Sequence, residues 1–154
     1  MKEVVIYTDG ACSYNPGPGG WGCVLIYKGV EKQLSGFCEN TTNNRMEMLA
    51  IIKALEQLKE PCKIDIYSDS AYVVNAFLQN WIEDWIKKGW KTSNKKEVKN
   101  IDLWQKIIEF TNIHQIVWHK VKGHSDNEYN NLCDKLATTE VENWINSHPE
   151  FKVE

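Results

Sequence analysis

The chain has 154 residues, of which 42% are apolar and 25% charged, and its formal net charge is −3. That length suits one domain that buries about two-thirds of its unfolded surface without covalent staples. The composition excludes a disordered or low-complexity protein, and no apolar run is long enough for a bilayer.

The opening "MKEVVIYTDG" enters a strand at once, with no charged-then-apolar leader, so neither secretion nor a membrane role is expected. Residues 4–8 (VVIYT) read as a buried strand that reaches Asp9. "GACSYNPGPGG" follows as a loop of turn formers. It lacks the GxxxxGK[ST] of a phosphate cradle and does not open a helix, so a tight turn is the local expectation. "WGCVLIYK" (21–28) and "KQLSGFC" (32–38) read as two strands joined at Gly29, the short links implying antiparallel pairing.

Residues 43–59 predict a helix, with Asn43 or Asn44 as cap, an apolar face of Met48, Ile51, Ile52, Leu55 and Leu58, and Pro61 beyond its end. "KIDIYS" (63–68) is a strand that reaches Asp69. A helix from Ser70 to about Gln79, a tryptophan-rich helical segment, a helix near 101–111, a strand at 114–121 and a helix over 127–145 complete the chain. The order β-β-β-α-β-α-α-α-β-α predicts an α/β fold, a mixed sheet with helices on both faces. Residues 1–146 are expected to form one unit and residues 147–154 a tail.

Asp9 and Asp69 each stand where an open sheet of this kind binds ligands, beyond the C-terminal end of a parallel strand. Glu47 borders the apolar side of its helix, where an acid is costly without a partner. Asp134 sits similarly beside Leu132, Leu136 and Ala137. Acids that converge repel one another, which raises their pKa values or demands cations, and Mg²⁺ supplies that counter-charge. Each acid also has a plainer reading. Asp69 suits the N-cap of the next helix, Glu47 a solvated helix flank, and Asp134 an ion pair with a lysine. Asp9 has no helix to cap.

Among four histidines, His124 differs from His114, His119 and His148 in lying in a polar loop, "VKGHSDNEYNN", before the helix of Asp134. An ordinary imidazole there suits proton transfer. Residues 87–99 carry six lysines against one glutamate, a local +5, interleaved with tryptophans. Trp81, Trp85 and Trp90 with Lys87, Lys88, Lys91, Lys95, Lys96 and Lys99 suit a surface that tracks a nucleic-acid backbone, although tryptophans spaced i, i+4 also suit plain packing. The five cysteines are odd in number and form no CxxC pair, which fits free thiols in a reducing cytoplasm.

"YTDGACSYNPGPGGWG", "TTNNRMEMLAIIKAL", "IYSDSAYVVNAF", "WIEDWIKKGWKTSNKKEVKNIDLW" and "VKGHSDNEYNNLCDKLA", in this order, resemble the type 1 ribonuclease H family, closest to the bacterial ribonuclease HI form. The resemblance covers nearly the whole chain. It implies a ribonuclease H-like fold, with a five-stranded mixed sheet of three antiparallel strands and then two parallel ones. It also implies hydrolysis of the RNA strand of an RNA/DNA hybrid, largely independent of sequence, with two Mg²⁺ ions bound in the substrate complex and Mn²⁺ as a substitute.

By the same resemblance Asp9, Glu47, Asp69 and Asp134 are the metal-binding catalytic acids, and His124 assists proton transfer or product departure. Asn15, Asn43 and Glu47 read the 2′-hydroxyl, and Thr42 and Asn43 hold a DNA phosphate. Trp81, Trp85, Trp90, Lys87, Lys88, Lys95, Lys96 and Lys99, in a basic protrusion at about 81–100, grip the DNA backbone. Relatives often carry glutamine where this chain has Ala71, which implies one minor-groove contact fewer. No separate N-terminal hybrid-binding domain is expected, and the protein is expected to act as a monomer. A non-catalytic hybrid-binding module, or another metal-dependent nuclease of the same fold, remains the alternative.

Overall fold

The computed structural model describes residues 1–122 and 127–151. In chain order these residues form β1 (Lys2–Cys12), β2 (Gly17–Tyr27), β3 (Val30–Thr41), α1 (Asn43–Leu55), β4 (Cys62–Ser68), α2 (Ala71–Leu78), α3 (Trp81–Lys87), α4 (Ile101–Ile113), β5 (Gln115–Lys120) and α5 (Glu128–Ser147). A 3-10 turn at Pro149–Phe151 follows. The strands make a single mixed sheet in the order β3-β2-β1-β4-β5. β1, β2 and β3 pair antiparallel, whereas β4 pairs parallel with both β1 and β5. The expected element order and sheet are both present.

The segment expected as a long glycine loop is instead mostly strand. β1 runs past Asp9 to Cys12 and β2 starts at Gly17, so only residues 13–16 connect them. Glycines carry no side chain to show a period of two, which hid this strand. They are needed because helices press on both faces of it. A Cβ on Gly20 would lie 2.2 Å from the Ala137 carbonyl oxygen of α5, and one on Gly19 would lie 2.8 Å from Met46 Cγ of α1. Neighbouring strand residues point to opposite faces, so these two contacts place α1 and α5 on opposite sides of the sheet. The β2–β3 hairpin turns through Lys28 and Gly29, both at positive φ (49° and 78°), which matches the right-handed twist of the strands.

Helix α1 begins one residue earlier in capping terms than expected. Thr42, not Asn43 or Asn44, is the N-cap, and its hydroxyl accepts the Arg45 N–H at 3.2 Å. The helix closes at Leu55 rather than near residue 59. Its last turn tightens, Gln57 N–H donating to the Ala54 carbonyl and Leu58 N–H to that of Leu55. Met46, Met48, Ile51, Ile52 and Leu55 bury its inner face against β1 and β2, each such side chain contributing about 1.5–3 kcal/mol. β5 starts at Gln115, because His114 ends α4 and its Nδ1 accepts the Cys62 N–H at 3.0 Å. The cysteines are free thiols, and no helix among the described residues is long and apolar enough to cross a membrane.

Candidate active site

The parallel ladder between β1 and β4 closes at the pair Tyr7 and Tyr67. Asp9 lies two residues further on in β1, where the pleat returns its side chain to the face of Tyr7, and Asp69 lies just past the end of β4. There β4 has ended while β1 continues beside β2, which opens a notch at the sheet's edge of termination. Glu47 enters it from α1. A Cβ on Gly10 would sit 2.5 Å from the Glu47 nitrogen and 2.6 Å from the Met46 carbonyl carbon, so only glycine at this position lets the helix seat that low. One oxygen from each of Asp9, Glu47 and Asp69 then falls within 4.8 Å of the other two.

Ser70, rather than Asp69, caps α2, its hydroxyl accepting the Val73 N–H at 3.3 Å. Ser70 N–H in turn donates to Ser68 Oγ at 3.1 Å. The capping alternative for Asp69 is thereby removed, and its carboxylate is left to the cluster.

Asp9 and Glu47 are each only 5% exposed. Burial and then the charge of Asp69 push the Asp9 carboxyl up to about 7. Burial and then the charge of Asp9 hold Glu47 well above the usual carboxylate range. Gly10 N–H donates to Asp9 Oδ1 at 2.9 Å, whereas Glu47 Oε2 is buried without any hydrogen-bond partner. An unpartnered buried oxygen beside two more carboxylates is unfavourable unless a cation joins it. Three hard oxygen donors suit a divalent ion such as Mg²⁺ or Mn²⁺ rather than a thiolate-seeking metal.

Asp134 is brought near but not into this group. It lies exposed on α5 and adds to the repulsion felt by Asp9, but the three-acid cluster does not include it. His124 lies outside the described residues. Asn15, Thr42 and Asn43 do meet, since Asn15 Oδ1 accepts the Asn43 N–H at 3.1 Å and so ties the β1–β2 connection to the first turn of α1.

In the basic segment Lys87, Lys88, Lys91, Lys95, Lys96 and Lys99 are all exposed. Its backbone is ordered by Val98 N–H donating to the Trp90 carbonyl at 3.0 Å and Thr92 N–H to that of Lys96 at 2.7 Å, with the Val98 side chain buried beneath. Trp81, Trp85 and Trp90 are half-buried, and Trp85 meets Trp104 edge-on at 5.3 Å. Packing accounts for part of each indole and leaves the rest at the surface. Trp81, Trp85 and Lys88 line a shallow cleft of about 290 Å³ with Asp84, Lys91 and Thr92.

Residues 1–142 match the RNase H family. The chain is 69% identical over 141 residues to a ribonuclease H of Acetivibrio thermocellus, covering 92% of this chain and 96% of that protein. The chain belongs to the ribonuclease H family. Its fold is similar to the crystal structure of LC9-RNase H1, a type 1 RNase H with the type 2 active-site motif, at a TM-score of 0.82 and 27% identity over 93% of this chain and 74% of that one. It also shares the fold of LC11-RNase H1 solved in complex with an RNA/DNA hybrid, at a TM-score of 0.68 and 24% identity over 92% of this chain and 99% of that one. Ribonucleases H are metal-dependent, and the acid cluster is where this member could hold an ion.

Sequence reasoning missed a polar network beside this ribonuclease H centre. Arg45 forks onto Asp102, Nη1 to Oδ1 at 3.0 Å and Nη2 to Oδ2 at 2.7 Å, and Nη1 also reaches Asn100 Oδ1 at 3.2 Å. Asn100 Nδ2 donates to the Tyr72 hydroxyl at 3.1 Å, as does Trp104 Nε1 at 3.3 Å. One signal was present. An arginine in the first turn of a helix sits against the positive end of its dipole and asks for an acid.

Proposed function

We propose that this protein is an endonuclease that hydrolyses the RNA strand of RNA/DNA hybrids at the Asp9, Glu47 and Asp69 centre, leaving 5′-phosphate and 3′-hydroxyl ends. The carrying observation is the convergence of three carboxylate oxygens within 4.8 Å, one of them on a buried Glu47 with an unpartnered Oε2. Mg²⁺ is the ion we assign, two in the substrate complex, with Mn²⁺ able to replace it. Divalent ions bound there would neutralise the acids, lower the pKa of an attacking water and stabilise the charge on the departing 3′-oxygen.

Asp9, Glu47 and Asp69 hold this charge in place, and Asp134 is the fourth acid on the rim. The α1 N-terminus turns the positive end of its dipole towards them, so Thr42 and Asn43 suit a DNA phosphate. Glu47, with Asn15 and Asn43, which are hydrogen-bonded to each other, reads the 2′-hydroxyl that tells RNA from DNA. Trp81, Trp85 and Trp90 with Lys87, Lys88, Lys95, Lys96 and Lys99 take the DNA backbone further along, with no base-edge readout. His124 assists proton transfer or product departure. Residues 1–146 make up the catalytic unit, which works as a cytoplasmic monomer. The solved hybrid complex of a ribonuclease H with this fold supports the substrate assignment.

The test is cleavage of an end-labelled RNA of roughly one to two helical turns, paired with DNA, paired with RNA, or alone, in Mg²⁺ and in EDTA. Metal-dependent cutting confined to the hybrid is the expected result. Tight hybrid binding with no cutting in Mg²⁺ or Mn²⁺ would instead make this a binding module.

A further inference from the structure

We infer that the Arg45–Asp102 fork, with Asn100 and Tyr72, is a positioning brace that sets the spacing between the α1 grip on the DNA strand and the basic segment. This rests on the hybrid-cleaving reading above. Arg45 lies in the same first turn as Thr42 and Asn43, and its own N–H donates to the Thr42 hydroxyl. Asn100 directly follows Lys99 and heads α4 in a left-handed conformation (φ 63°, ψ 31°), yet makes no side-chain capping bond. Its amide is committed instead to Arg45 on one side and Tyr72 on the other. Tyr72 stands three residues after Asp69, in α2. Three helices are thus pinned at one point between the carboxylates, the first turn of α1 and the last lysine of the protrusion.

Stability alone does not account for the arrangement. The two-bond geometry makes the fork stronger than an ordinary surface pair, but Asp102 is 64% exposed, so solvent screening limits what it adds to the fold. What such a planar, two-bond fork does supply is orientation, which a lysine cannot copy. Two backbone grips separated by a fixed distance bind a stiff duplex well only if that distance is held before the substrate arrives. With the brace gone, both grips remain but their spacing fluctuates, so binding weakens while the chemistry at the acids is untouched. The positioning residues are therefore Arg45, Asp102 and Tyr72.

Asp102→Asn, Arg45→Lys and Tyr72→Phe test this by steady-state cleavage and by hybrid affinity measured through fluorescence anisotropy in EDTA. Each variant is expected to raise KM and the metal-free Kd about tenfold, leave kcat within about twofold, and leave the slope of log Kd against log salt unchanged. Thermal melting within a few degrees of the parent shows that each variant is folded. Unchanged KM and Kd in Asp102→Asn and Tyr72→Phe would overturn the brace, as would a parent-like Arg45→Lys for the fork geometry. A flattened salt slope would mean that these groups touch phosphate themselves, and a fall in kcat alone would place them in the chemistry. If the parent protein binds hybrid without cutting it, the cleavage reading fails, but the anisotropy arm still decides the brace.

Discussion

Replacing Asp9 by Asn should stabilise the metal-free protein while abolishing cleavage. Asn keeps the shape and an Oδ1 that accepts the Gly10 N–H, so little changes except charge. Burial and the neighbouring Asp69 raise Asp9 from an ordinary 3.8 to about 7. At 1.36 kcal/mol per unit that corresponds to about 4 kcal/mol as a ceiling for ionising Asp9 in place. Glu47 keeps its proton well above the usual range and relieves part of the repulsion, which brings the expected effect nearer ~2–4 kcal/mol. A folded pKa raised above the unfolded one favours the fold fully below the unfolded value, and that advantage is lost as pH rises through the folded value. Wild type and variant should therefore melt alike near pH 4 and diverge towards pH 8, where the variant should gain roughly 5–15 °C. Saturating Mg²⁺ should narrow the gap, because the intact cluster binds the ion better. Calorimetry across pH in EDTA and in Mg²⁺ reads all of this. A variant no more stable than wild type at pH 8 in EDTA would refute the repulsion argument, and Mg²⁺-dependent cleavage by the variant would remove Asp9 from the site.

Replacing Lys87, Lys88, Lys95 and Lys96 by Ala should weaken hybrid binding and flatten the slope of log K against log salt by up to about 0.9 for each phosphate that is no longer neutralised; an identical slope in a titration would contradict their role. Gly20→Ala should cost about 1–3 kcal/mol in denaturant unfolding, because its new Cβ would meet the α5 backbone at 2.2 Å; a neutral result would mean that α5 shifts freely on the sheet. His124→Ala should slow turnover without removing it in single-turnover and multiple-turnover assays, and a dead enzyme would mean that an essential base stands there.

Those parts of the chain that bury β-branched or long apolar side chains were legible as sequence. "VVIYT" and "KIDIYS" declared their strands, and the spacing of Met48, Ile51, Ile52 and Leu55 declared α1, because burial of those side chains is what forms these elements. The two aspartates were legible for a related reason, since each follows such a strand. Caps were less so. Thr42 and Ser70 won over Asn43 and Asp69 through local backbone geometry that composition does not reveal. β2 was half hidden because two of its glycines, Gly20 and Gly22, answer to a helix more than a hundred residues away, at Ala137 and Cys133 of α5. The Arg45–Asp102 fork spans 57 residues, and only the dipole argument at Arg45 hinted at it.

The same geometry reconciles an acidic protein with a polyanionic substrate. Setting aside the four acids assigned to the centre, a net charge of −3 becomes +1 for everything else. Residues 87–99 concentrate a local +5 on exposed lysines, while two of the four acids are almost fully buried. Fields from exposed charges act on an approaching duplex over about 8–10 Å before salt screens them. A duplex that approaches the protrusion therefore meets positive charge first. It meets the carboxylates only at contact, where divalent ions would already have compensated them. Net charge fails as a guide here because segregation, rather than balance, decides what the surface attracts.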